Sequence, residues 1–107
     1  MQHSELATIL KKTKEFLASL YQEQLQSIIL YGSQARKESQ PDSDIDLLVV
    51  LDTLTSPYHE IDKTSQFIAE LCLEFDVVIS RHFISTEKYQ AGNTPFLANI
   101  KKEGILV

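Results

Sequence analysis

The chain has 107 residues, 43% of them apolar, which fits one domain with one core and leaves little room for another. A formal net charge of −5, from 15 acidic and 10 basic residues, argues against unaided, direct nucleic acid binding, which needs a basic footprint. No apolar run reaches the roughly 18 residues of a membrane span, and Met1-Gln2-His3-Ser4-Glu5 lacks the basic start and apolar stretch of a signal peptide. Cys72 stands alone, so there is no disulfide framework, and the expected setting is the cytoplasm.

From about Ser4 to Tyr21, the residues Leu6, Ile9, Leu10, Phe16, Leu17 and Leu20 fall on one face of a helix, with Ser4 as the expected N-cap. Gln24 to Tyr31 reads as a strand ending in Ile28-Ile29-Leu30-Tyr31, broken by Gly32 and Ser33. Gln34 to Ser43 is polar and is expected to be a loop, since Pro41 forbids a continuing helix. Asp44 to Leu51 is the second strand, its run Leu47-Leu48-Val49-Val50-Leu51 being buried on both faces. Ser56-Pro57 starts a helix that carries Ile61, Ile68, Leu71 and Cys72 to about Glu74. Phe75 to Phe83 is expected as a third strand, and Thr94-Pro95 opens a short helix that Gly104 closes before Ile105-Leu106-Val107. The implied fold class is α/β (α+β): a mixed sheet of three to four strands backed by helices, in a single domain over residues 1–107. A full helix lies between the second and third strands, so these two are expected to be parallel neighbours.

The chemistry concentrates in Gly32-Ser33, ten further residues, and Asp44-Ile45-Asp46. Residues two apart on a strand share a face, so Asp44 and Asp46 present two carboxylates side by side while Ile45 turns inward. Such a pair repels itself unless a cation lies between, and oxygen ligands of this kind suit Mg²⁺ or Mn²⁺. Alone, Asp-x-Asp is as well explained by a polar turn capping a strand. Gly32 permits a close backbone approach and positive φ, and Ser33 offers a hydroxyl to phosphate oxygens. Asp76, placed between Phe75 and Val77 in the expected third strand, would bring a third carboxylate to the same end of the sheet. A charge there needs a reason, since burial without a partner is expensive. Arg36 and Lys37 are weaker candidates for phosphate contacts. His3, His59 and His82 read as surface residues, and Tyr21, Tyr31, Tyr58 and Tyr89 as packing groups.

Gly32-Ser33-x(10)-Asp44-x-Asp46 followed by Asp76 resembles the nucleotidyltransferase superfamily that includes polymerase beta. The surrounding Tyr31-Gly32-Ser33-Gln34-Ala35-Arg36 and Pro41-Asp42-Ser43-Asp44-Ile45-Asp46-Leu47 are similar to the minimal nucleotidyltransferases encoded beside HEPN-domain proteins. The closing Asn99-Ile100-Lys101-Lys102-Glu103-Gly104 extends that likeness over nearly the whole chain. The resemblance implies an antitoxin of a toxin–antitoxin pair that transfers AMP from ATP to a tyrosine of a HEPN-type ribonuclease toxin. It implies that Asp44 and Asp46 hold two Mg²⁺ ions, that Asp76 completes the second metal site, and that Gly32 and Ser33 bind the triphosphate. Lys37 stands where family members often carry glycine. Two other functions are weighed against this one: a non-catalytic antitoxin acting by complex formation, and a small-molecule nucleotidyltransferase, whose relatives usually need an additional domain.

Overall fold

The computed structural model describes residues 5–36 and 44–107. Its elements are α1 (Leu6–Tyr21), a 3₁₀ turn (Gln22–Gln24), β1 (Leu25–Tyr31), α2 (Ser33–Arg36), β2 (Ile45–Leu51), α3 (Pro57–Phe75), β3 (Ile79–Ser85), α4 (Thr86–Ala91), α5 (Pro95–Glu103) and β4 (Ile105–Leu106). The sheet order is β3-β2-β1-β4, with β2 parallel to β3 and β1 antiparallel to both β2 and β4. This is the mixed four-stranded sheet that the element order implied. Among the described residues, no helix is long and apolar enough to cross a membrane.

Strand β2 organises the core. Its alternate residues Ile45, Leu47, Val49 and Leu51 pack with Leu6, Ile9 and Leu17 of α1 and Ile68 and Leu71 of α3. The intervening Leu48 and Val50 pack on the other face with Ile29 of β1 and Leu97 and Ile100 of α5. Every residue from Leu47 to Leu51 is at most 2% exposed, as expected of a central strand covered on both sides.

Helix starts follow their capping signals. Ser56 Oγ accepts from the His59 amide ahead of Pro57, and Thr94 Oγ1 accepts from the Leu97 amide ahead of Pro95. The expected cap at Ser4 lies outside the described residues; α1 begins at Leu6 with Glu5 at its N-cap, which makes no side-chain capping bond. The sequence reading missed α4, which has no apolar stripe and is marked only by Ser85 accepting from the Lys88 amide. Gln34–Arg36, expected as loop, belongs to α2; Lys37 to Ser43 lie outside the described residues.

The expected third strand begins four residues late. Ile68, Leu71, Cys72 and Phe75 continue at intervals of three and four, so helical periodicity carries α3 through Phe75 and overrides the apolar run that follows. Asp76 then adopts the left-handed conformation with φ 52°, and the amides of Asp76 and Val77 both reach the Cys72 carbonyl. Arg81 of β3 ties the helix down, donating to Thr64 Oγ1 at 2.7 Å and to the Ile61 carbonyl at 2.8 Å.

Gly104 does close α5, but for lack of space rather than for positive φ. A Cβ there would lie 2.5 Å from the Ile100 carbonyl oxygen and 2.6 Å from Ile29 Cγ2. Gly104→Ala is therefore expected to destabilise the protein by about 1–3 kcal/mol through overpacking. An unchanged urea midpoint would refute this steric account.

Candidate active site

The site forms where β1 ends and β2 begins. Tyr31, the last residue of β1, is the antiparallel partner of Asp46, so the Gly32-Ser33 turn lies beside the opening residues of β2. Gly32 has φ 77°, and the Arg36 amide donates to its carbonyl, which starts α2 at once. A Cβ on Gly32 would collide with Asp46 Oδ2 and come within 3.3 Å of Asp46 Cγ. Glycine is thus needed twice here, for its backbone conformation and for room beside a carboxylate. The sequence predicts the first requirement and a close approach to a ligand, and the fold adds the crowding against Asp46.

Asp44 is exposed just before β2, Asp46 is half-buried one step further in, and Ile45 between them is fully buried in the opposite face. The Asp46 carboxyl is held above its usual range, first by burial and then by the neighbouring Asp44 charge, with His82 and Arg36 pulling the other way. Two carboxylates side by side at an open strand end are a donor set that fits a hard divalent cation.

Asp76 is not a strand residue. The parallel register sets Ile45 level with Ile79, so Asp76 reaches the same edge of the sheet three residues before β3. It is exposed at the α3 C-cap, and among the described residues no three His, Cys, Asp or Glu side chains are grouped closely enough to hold a metal ion. The expected placement of Asp76 within the third strand is thereby corrected: the left-handed cap turns the chain where an extended strand was expected. Ser33 is half-buried as the first residue of α2. Arg36 ends α2 with its Nη1 2.9 Å from Glu103 Oε1 at the end of α5, close enough to Asp46 to stabilise its charge.

Tyr31 and His82 lie near Asp46, and Phe96 packs against both. The Tyr31 hydroxyl and His82 Nδ1 are 2.8 Å apart, and both rings meet Phe96, at centroid distances of 5.5 and 5.7 Å. The Tyr31 hydroxyl is pushed up to about 12, by burial first and then by Asp46. His82 is exposed, as expected of a surface residue, yet it belongs to the site's surroundings. The signal for it was β-alternation: with β3 starting at Ile79, Ser80 and His82 share the Asp46 face.

Comparison with known proteins gives the family. The Nucleotidyltransferase domain family model matches residues 10–107. A protein of Methanocaldococcus jannaschii named "Putative protein adenylyltransferase" is 35% identical over 98 residues, covering 88% of this chain and 92% of that protein. The crystal structure of a candidate nucleotidyltransferase from Sulfolobus solfataricus shares the fold with a TM-score of 0.66 at 19% identity, over 92% of this chain and 76% of that one. A toxin–antitoxin crystallised with AMP-PNP also shares it, with a TM-score of 0.57 at 20% identity, over 90% of this chain and 70% of that one. With a family model matched over nearly its whole length and the Asp44–Asp46 pair set against Gly32, the chain belongs to the nucleotidyltransferase domain family.

Proposed function

We propose that the chain transfers AMP from ATP to a hydroxyl on a partner protein, a tyrosine of a HEPN-type ribonuclease toxin, and acts in the cytoplasm as that toxin's antitoxin. The observation that carries the reading is Asp46, half-buried beside Asp44 and against Gly32, at the open start of a strand otherwise sealed on both faces. The name of the Methanocaldococcus relative supports a protein acceptor. The toxin–antitoxin neighbour crystallised with AMP-PNP supports an adenine nucleotide and a toxin partner.

In this reading Asp44 and Asp46 hold Mg²⁺. Two bound ions would supply charge neutralisation at the attacking and departing oxygens. Gly32 lets the turn lie against the Asp46 carboxylate and brings its backbone close to the triphosphate, the Ser33 hydroxyl donates to a phosphate oxygen, and Arg36 adds positive charge. The acceptor oxygen attacks the α-phosphorus, the bond to the β-phosphate breaks, and pyrophosphate leaves with the electron pair while the hydroxyl proton passes to a carboxylate. Asp76, at the same edge, is assigned as the third carboxylate, entering from the turn between α3 and β3.

Labelled ATP, Mg²⁺ and the product of the adjacent reading frame provide the test. Label on the partner is expected; a tight but unlabelled complex would show a non-catalytic antitoxin instead. Asp44→Asn or Asp46→Asn is expected to lower transfer at least ~10³-fold, about 4 kcal/mol of barrier, and near-normal transfer by either would refute the metal assignment. Asp76→Asn is expected to cost at least ~10²-fold, about 2.7 kcal/mol; full activity would remove Asp76 from the mechanism.

The metal-free protein gives an independent check. The folded-state pKa of Asp46 is raised above its unfolded value, so its ionisation costs stability as pH rises through that range, and the cost is in full force at neutral pH. Asp46→Asn should therefore melt higher than the parent in EDTA. Mg²⁺ with a non-hydrolysable ATP analogue at 100 times its Kd should stabilise the parent by about 2.7 kcal/mol and the variant far less. Equal ligand-induced shifts would exclude Asp46 as a ligand.

A further inference from the structure

The carboxylate edge, the glycine turn and Arg36 all address phosphates, and none of them explains where a nucleobase would rest. On the Asp46 face, a cleft of about 450 Å³ opens at the junction of α4 and α5, its lining including Ile84, Lys88, Ala91, Asn93, Phe96 and Leu97. Phe96 is its wall toward the carboxylates. Phe96 is 43% exposed and its ring meets Tyr31 edge-on, and Tyr31 is the strand partner of Asp46. An unbroken aromatic path therefore runs from Asp46 through Tyr31 and His82 to Phe96 and the cleft.

Reach agrees with this path. Ile84 pairs with Val50, four residues along β2 from Asp46 and one strand across, so the two Cα positions are roughly 14 Å apart by strand geometry. Allowing for side chains at both ends, that separation matches the span from an α-phosphate through the ribose to the base. The lining is also of the right kind: an aromatic face and aliphatic walls for stacking, with Asn93 offering both a donor and an acceptor for a base edge.

We infer that the α4–α5 cleft is the nucleobase subsite, with Phe96 as its stacking wall and the base of the donor nucleoside triphosphate as its occupant. The inference rests on the proposed nucleotide transfer at Asp44 and Asp46. Inorganic tripolyphosphate separates the two, because it engages the phosphate edge and has no base. Calorimetric titration in Mg²⁺ would compare a non-hydrolysable ATP analogue with tripolyphosphate on the parent, Phe96→Ala, Ala91→Phe and Asp44→Asn. Phe96→Ala removes the stacking wall; Ala91→Phe fills the cleft from an exposed position at the end of α4, so it leaves the core intact.

Stacking on one base typically contributes ~1–3 kcal/mol, so each cleft variant is expected to weaken analogue binding about tenfold or more. Tripolyphosphate binding should stay within about twofold, while Asp44→Asn should lose both ligands. Unchanged analogue binding in both cleft variants, with Asp44→Asn still defective, would overturn the cleft assignment alone. Equal loss of both ligands in the cleft variants would also overturn it, since the effect would then be on the phosphate edge. A parent protein that binds neither ligand would overturn the nucleotide-transfer reading, and the subsite with it.

Discussion

Strand β2 is required to be apolar on both faces along its length and charged at its beginning. Its last five residues are sealed between α1 and α3 on one side and α5 on the other. Fully burying side chains of this size contributes about 1.5–3 kcal/mol each, so this run anchors the whole sheet. A carboxylate placed further along would sit in that interior without water or partner. Asp44 and Asp46 are confined to the strand's first turn of alternation, where the Asp46 face is still open. Even there the Asp46 charge is disfavoured, and the fold tolerates that cost at a single edge.

The rest of the edge is shaped around that carboxylate. Gly32 has no Cβ because Asp46 Oδ2 occupies the space, which fixes how closely the end of β1 can approach the start of β2. Arg36 is tied to Glu103, linking the short α2 to the far end of α5. Both side chains are partly exposed, so the ion pair contributes at most about 1 kcal/mol to stability. Its effect is positional, holding a guanidinium near the Asp46 charge.

The two faces of the sheet do different work. On one side the long helices α1 and α3 are locked by stacked Phe16 and Phe67 rings, 4.0 Å apart, and by the bonds of Arg81 to α3. On the other, the shorter α4 and α5 cover less, and Tyr31, His82 and Phe96 are left near the open edge. A rigid side and an accessible side on one sheet let the functional groups sit at a strand terminus without loosening the core.

Local chemistry alone determined much of this. The helices at Pro57 and Pro95, the buried run Leu47–Leu51 and the pairing of Asp44 with Asp46 follow from capping residues and from periods of 3.6 and 2, and the parallel pairing of β2 with β3 from the helical crossover between them. The Gly32-Ser33 turn was legible because glycine and serine end an apolar run. What the sequence could not decide was where competing periods change over. Phe75 satisfies both a helical stripe and a strand, and only packing against the core assigns it to α3. That choice takes Asp76 out of β3 and into a left-handed cap, and leaves Ser80 and His82 as the β3 residues on the Asp46 face. Likewise, the contact of Gly32 with Asp46 and of Arg36 with Glu103 joins residues 14 and 67 positions apart. No local pattern encodes such pairs, because they exist only once the sheet has closed.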